Sequence, residues 1–194
     1  MPHLETEEEL EQYIFDSFGN EFEWDYFDGD VLLRQLNISG YGAADLVKVS
    51  ISHDFNGREN TPLICITIIE LKKGVLKMDA VGQISRYRTG ISRVLEKISE
   101  RNGKKLFKYE VDGILVGSEY DSGDVCYAVD NMDWLNFYNF DISLSDGISF
   151  THQEGWYSTK EKETIGIDER VFNEFIKLTR YCSRQNRKLN KENA

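Results

Sequence analysis

Leu10, Ile14 and Phe18 recur every four residues behind Thr6 and Glu9, which have the Thr-x-x-Glu spacing of a capping box. An amphipathic helix is therefore predicted over 6–18, with Glu11 beside its apolar stripe. The pattern then shortens to the period of strands. "VLLRQLNI" (31–38) and "ADLVKVSISHDF" (44–55) read as two of them, and the Asn-Gly of "DFNGREN" is a two-residue turn that folds the second back onto "PLICITIIELKK" (62–73). From Leu63 to Glu70 only Thr67 and Glu70 interrupt the apolar run, as suits a central strand covered on both faces. Helical spacing returns with Ala80, Ile84, Tyr87, Ile91, Val94, Leu95 and Ile98, between Asp79 as a predicted N-cap and a stop at Asn102-Gly103. After it come a strand (108–120), a short helix (123–135), the segments "NFYNFDISL" and "ISFT" as strands or a hairpin at the sheet edge, and a last helix from about Asp168 to Arg184. That helix would turn Val171, Phe175, Leu178 and Cys182 inward and end in a basic tail. The order predicts one α/β domain over 1–194, a sandwich around a mixed central sheet with its core at about 5–150.

Net charge is -11, which by itself argues against a nucleic-acid partner. Its distribution changes that inference, because residues 1–30 hold 11 acids and no Lys or Arg. The remainder balances, with 11 bases and 3 acids over 71–108, 2 and 14 over 109–169, and 7 and 2 over 170–194. Such blocks can set a basic surface beside an acidic cluster, and phosphate binding answers to the local field; solvated helix faces would give the same blocks. The same two readings apply to the basic stretch "KLTRYCSRQNRK". No apolar stretch reaches the roughly 20 residues of a membrane span, and "MPHLETEEELEQ" lacks the pattern of a secretion signal. Cys65, Cys126 and Cys182 are an odd, scattered set without a C-x-x-C pair. A cytoplasmic protein with reduced thiols is expected, Cys65 serving as packing.

Candidate chemistry gathers at "IIELKKG" (68–74). On a strand Glu70 and Lys72 point to one side and Leu71 to the other, so the carboxylate and ammonium are neighbours where the apolar run stops. Taken alone, an E-x-K is more often a surface ion pair. Three features add weight. Asp45 lies on the strand paired with this one and can bring a second carboxylate near Glu70, a self-repelling pair that Mg2+ would neutralise. Glu11 could add a ligand from the side. Gln83 in "QISRY" sits one turn into the long helix, with Tyr87 below it and Arg86 beside it. The DSGD at 121–124 fits a helix N-cap better than a calcium loop, and His3, His53 and His152 have no ligand spacing. Trp134, Phe137, Tyr138 and Phe140 suit a core better than a base-stacking platform.

In this order "EEELEQYI", "LLRQL", "GYGAADLV", "IIELKKG" and "DAVGQISRY" resemble the PD-(D/E)XK nuclease superfamily, and most of all the nuclease domain of NucS-type endonucleases, over roughly residues 5–120. The resemblance implies a restriction-endonuclease-like fold and a Mg2+- or Mn2+-dependent phosphodiesterase acting on DNA in preference to RNA, with homodimerisation open. It implies that Asp45, Glu70 and the Leu71 carbonyl bind the metal. Lys72 would orient or deprotonate water, the latter needing a lowered pKa. Gln83 would hold the site from the helix, Glu11 would serve a second metal or a water network, and Arg34, Lys73, Arg86 and Tyr87 would contact nucleic acid. The NucS-type pattern has an arginine where this chain has Ala43, with Arg34 and Arg86 as substitutes, and the N-terminal domain of that group has no counterpart here. Two other functions fit the same residues: a non-catalytic interaction protein of a phage or defence system, whose acidic front half mimics nucleic acid or docks a basic partner, and a nuclease acting on RNA.

Overall fold

A computed structural model describes residues 6–17, 31–53, 62–101, 104–121, 123–143 and 147–152. Helix α1 spans Glu7–Ser17 and begins at the expected capping box, where Thr6 N–H donates to Glu9 Oε2 at 2.9 Å and Glu9 N–H to Thr6 Oγ1 at 3.2 Å. Leu10 and Ile14 are buried; Phe18 lies outside the described residues, as do the Asn-Gly turn and the helix expected at 168–184.

Strands β1 (Val31–Ile38), β2 (Gly42–His53) and β3 (Pro62–Leu71) form an antiparallel meander. Past the short β4 (Val75–Leu76), helix α2 (Met78–Ser99) carries the chain to the far end of the sheet. After β5 (Glu100–Arg101) and β6 (Lys104–Lys105), β7 (Lys108–Gly117) runs parallel to β3. The chain continues through β8 (Glu119–Tyr120) and α3 (Asp124–Asn131) to β9 (Leu135–Ser143) and β10 (Gly147–His152). β9 is parallel to β7, and β10 pairs antiparallel with β9 at the edge, giving one sheet in the order β1-β2-β3-β7-β9-β10. The expected α/β fold with a mixed central sheet flanked by helices is what is observed.

The sheet has two unequal cores. On one face α2 and α3 bury Ile64, Ile66 and Ile68 of β3 with Val111 and Leu115 of β7; on the other, α1 sets Leu10 and Ile14 against Leu46, Ile69, Leu71 and Val116. Each fully buried aliphatic side chain contributes about 1.5–3 kcal/mol relative to exposure. β3 is thus covered on both sides, as its unbroken apolar run requires.

Several boundaries differ from the sequence reading. The N-cap of α2 is Lys77, without a side-chain cap, and Asp79 lies inside the first turn, where its Oδ1 accepts from Ala80 N–H at 2.9 Å. The helix ends at Ser99, where the backbone turns extended into β5 before the Asn-Gly. The predicted strand at 108–120 is two, because Ser118 breaks from the main sheet and Glu119–Tyr120 pair in parallel with Val75–Leu76. In DSGD the N-cap is Gly123, without a side-chain cap, while Asp121 Oδ1 accepts from Gly123 N–H at 3.1 Å. Phe137 and Phe140 are core residues, and Trp134 lies under the Arg88 guanidinium, 4.6 Å from the ring centre.

Regular alternation fails at one place in β1 and β2. Leu33 and Leu36 pack on the same face although they are three residues apart, and so do Ala44 and Val47. Between them Gln35 has φ 49°, a left-handed conformation unusual for a side chain of its size, directly across from Asp45. Both strands exchange their buried faces there. This local twist aims Asp45 along the sheet instead of into either core.

Candidate active site

The phase change sits beside the end of β3. The β2–β3 ladder stops at Leu46 and Ile69, and past it Leu71 N–H donates to Asp45 Oδ2 at 2.9 Å. A side chain thereby takes a bond that the backbone would otherwise supply, which holds the carboxylate next to Glu70. Glu70 is completely buried. Its Oε1 accepts from Lys72 Nζ at 2.8 Å, and its Oε2 has no hydrogen-bond partner. Lys72 is held in turn by its own N–H, which donates to the Val116 carbonyl at 2.8 Å, while Ser118 N–H and Asp121 N–H bond the carbonyls of Gly74 and Leu76. The end of β7 thus clamps the segment that follows Glu70.

From α1, Glu11 is buried and its carboxylate is fully engaged. Arg34 Nε donates to Oε1 and Gln35 Nε2 to Oε2 at 2.6 Å; the same Gln35 amide reaches Asp45 Oδ1 at 3.4 Å. Arg34 also donates to Gln12 Oε1 and stands 4.0 Å from Glu8. One turn earlier on α1, Glu7 places Oε2 3.7 Å from Lys72 Nζ and Oε1 3.4 Å from Lys73 N. From α2, Gln83 donates to the Tyr87 hydroxyl at 2.8 Å, and the Tyr87 ring fills the space over Gly42, where a Cβ would come within 2.9 Å of it.

Burial and crowding set the electrostatics. Burial, then the Asp45 charge, push the Glu70 carboxyl up to about 7 against the opposing hydrogen bond and charge of Lys72. Burial also raises Asp45, partly offset by the Leu71 N–H and by Lys72. Tyr87 is raised by burial and by the charges of Glu70 and Asp45, against the Gln83 bond. For Lys72 burial pulls downward, but the Glu70 hydrogen bond and the charges of Glu70, Glu7 and Asp45 outweigh it, so the ammonium is held above its usual range. In this arrangement the ion pair with Glu70 favours the ammonium form.

The structure therefore brings Asp45, Glu70, Leu71 and Lys72 together, with Glu11 linked to Asp45 through Gln35. Gln83 touches Tyr87 rather than a carboxylate. Three further residues have partners or burial that bear on their expected roles. Glu11 has one donor on each carboxylate oxygen, Arg34 on Oε1 and Gln35 on Oε2. Arg34 is engaged by α1, through Glu11 and Gln12. Tyr87, expected to contact nucleic acid, is only 3% exposed, and its hydroxyl accepts from Gln83. Lys73 and Arg86 are exposed, as a phosphate contact requires. Sequence reading missed Glu7 and Gln35. Glu7 stands on the α1 surface one turn before Glu11, a spacing visible in "EEELEQ"; nothing in the sequence marks Gln35 except its position opposite Asp45 in the hairpin.

Among the described residues no three His, Cys, Asp or Glu side chains are arranged to hold a metal together. The Asp45 charge acts on Glu70, and the buried Glu70 Oε2 has no hydrogen-bond partner, an orphaned acceptor of the kind a cation would satisfy. Mg2+ suits such a site, because it takes one or two carboxylates and fills its octahedron with water and phosphate oxygens. The residues present fit a Mg2+ ion.

No protein-family profile matches the sequence, and no curated protein matches it. Among solved structures, one similar chain is EndoMS in a complex with double-stranded DNA, 23% identical over 68% of this chain and 43% of that one, with a TM-score of 0.42. Another is a repair endonuclease from Pyrococcus abyssi, also 23% identical with a TM-score of 0.42, over 70% of this chain and 46% of that one. This chain spans less than half the length of either.

Proposed function

We propose that the protein is a Mg2+-dependent phosphodiesterase that hydrolyses DNA, Mn2+ being able to substitute. The observation that carries this reading is the Glu70 carboxylate: fully buried, bonded on one oxygen to Lys72, partnerless on the other, and beside the Asp45 carboxylate. A buried pair of carboxylates is self-repelling and costs several kcal/mol unless a cation or a proton resolves it. Asp45 and Glu70, with the Leu71 carbonyl, would hold the ion. Bound there, it would lower the pKa of a coordinated water and withdraw charge from a phosphoryl oxygen.

The chain's own groups do the rest. Lys72, pinned by Glu70 and by the Val116 carbonyl, presents an ammonium to the negative charge that grows on a phosphate under in-line attack. Leu71 N–H and Gln35 fix Asp45, and Glu11 fixes Gln35, so α1 braces the metal side of the site without binding the ion. Gln83 and Tyr87 close the site toward α2. DNA as substrate rests on the ordered resemblance of five sequence segments.

The test is cleavage of single-stranded, flapped and duplex DNA with Mg2+ or Mn2+. Wild type should cut at least one, and Asp45→Ala and Glu70→Ala should lose at least about 100-fold in rate. If wild type shows no cut that these variants abolish, while their thermal melts show them folded, the proposal fails.

A further inference from the structure

Arg86, Gly90, Arg93 and Lys97 share one side of α2 at the i, i+4, i+7 and i+11 positions. Arg86, Arg93 and Lys97 are exposed. Tyr41, in the turn between β1 and β2, lies flat on Gly90: a Cβ there would meet its ring at 2.8 Å and Ile38 at 2.5 Å, so only glycine admits the ring. Arg93 then lies over Tyr41, its guanidinium carbon 5.8 Å from the ring centre, and donates to the Tyr41 hydroxyl. The guanidinium is thus held by an aromatic face and a neutral hydroxyl. Among the described residues neither Arg86 nor Arg93 is paired with a carboxylate. Arg88, by contrast, is spent internally on the Val111 carbonyl and the Trp134 ring.

We infer that this row, with Arg93 on its Tyr41 platform as the anchor, binds phosphates of the DNA outside the cleaved bond. Three observations converge. The row begins next to the site, since Arg86 adjoins Tyr87, whose ring covers Gly42, and Gly42 follows Tyr41. It extends away along α2, eleven residues or about 16 Å from Arg86 to Lys97, roughly five base-pair steps of one strand. It is cationic and nearly uncontested, Glu96 being its one acidic neighbour on α2 after Asp79. A guanidinium oriented in advance loses little freedom on meeting a phosphate, and with Nη1 on the Tyr41 hydroxyl, Nε and Nη2 of Arg93 have no partner among the described residues. Charge complementarity commits the surface to a polyanion, and its origin at the site commits it to the substrate strand.

The inference rests on the proposed nuclease reading, and its test separates the two. Fluorescence anisotropy with a labelled 20-base-pair duplex in EDTA reads the surface whether or not the chain cuts; hydrolysis of bis(p-nitrophenyl) phosphate with Mn2+ reads the site without a surface. Arg93→Glu should weaken duplex binding about tenfold or more at low salt and reduce the slope of log K against log salt by about 1, with Arg86→Glu/Arg93→Glu losing more. Arg93→Gln should give a milder loss in the same direction. Hydrolysis of the small diester should stay unchanged in the Arg93 variants. Duplex affinity and salt slope equal to wild type in the double variant, with an unaltered thermal melt, would overturn the inference even if the protein cuts DNA. So would a wild type that does not bind the duplex at all. Loss of binding in these variants from a wild type that never cleaves would uphold the surface and sink the nuclease reading.

Discussion

At the scale of single residues, Lys72 shows how a neighbour can decide the chemistry of a group. Half-buried, it should tend to lose its proton, yet three carboxylates lie close enough to reverse that tendency, Glu70 at 2.8 Å and Glu7 at 3.7 Å among them. The charge it carries is part of the site's balance. Without it two raised carboxylates would face each other unopposed, and in the proposed reaction a phosphate would meet no ammonium beside the metal. Lys72→Ala should therefore lower the DNA cleavage rate by about 100-fold or more while leaving the protein folded. Lys72→Arg should recover only part of it, because a planar guanidinium cannot occupy the space of a compact ammonium. Initial rates in Mg2+ decide this, and full activity in Lys72→Ala would remove the lysine from the mechanism. Glu11 teaches the reverse lesson. Its position beside an apolar stripe suggested a ligand, but each of its oxygens already holds a donor, from Arg34 and Gln35, so Glu11→Gln should change stability more than metal affinity. Isothermal titration with Mn2+ should show affinity within a few-fold of wild type. A loss of more than about 100-fold would make it a ligand after all.

At the scale of elements, the contact of α2 with the β1–β2 turn depends on an absent methyl group. A side chain at position 90 would overlap Ile38, which is buried, and Tyr41, whose hydroxyl is bonded by Arg93. Gly90→Ala should cost about 1–3 kcal/mol, read as a lower denaturation midpoint at unchanged m-value, although alanine is the better helix former. A stabilised Gly90→Ala would mean that Tyr41 is free to move away. The elements themselves were legible because each carries a physical signature. Thr6 and Glu9 cap α1 as their spacing requires, and the unbroken run of β3 marked the strand that both faces cover. The antiparallel pairing of β2 with β3 placed Asp45 near Glu70 before any coordinates. What could not be read is the phase change at Gln35 and Asp45. A strand pattern reports which residues are apolar, whereas a left-handed residue exchanges faces without changing composition. Leu33 with Leu36, and Ala44 with Val47, record it only once the faces are known. The start of α2 was misplaced for a related reason: Asp79 has the chemistry of a cap, but Gly74 to Lys77 are already held against β7 and β8, and the helix begins where that clamp ends.

At the scale of the whole molecule, the same buried carboxylates link stability, pH and metal. Glu70 is raised from 4.5 to about 7 in the fold, so between those values the folded chain holds a proton that the unfolded chain has released. Stability must then fall as pH rises through that window and level off above it, by about 3 kcal/mol for this group, with Asp45 adding in the same direction. Lys72, raised above 10.5, contributes stability that is fully present throughout this window and is lost only at higher pH. The acidic excess of the chain also favours unfolding as pH rises, so the slope alone does not identify Glu70. Glu70→Gln does: it keeps the shape, removes the proton, and should flatten the curve between pH 5 and 8. In the proposed metal centre a divalent cation would act on the same equilibrium, since it would bind the deprotonated pair only in the folded state and stabilise it by RT ln(1 + [L]/Kd). Wild-type melting curves with Mg2+ and with EDTA should therefore coincide near pH 5 and separate progressively toward pH 8, while those of Glu70→Gln stay together throughout. Identical melts for wild type with and without Mg2+ at pH 8, at concentrations up to 10 mM by the usual scale of weak sites, would mean that the pair resolves its repulsion with a proton, and the metal centre would have to be given up.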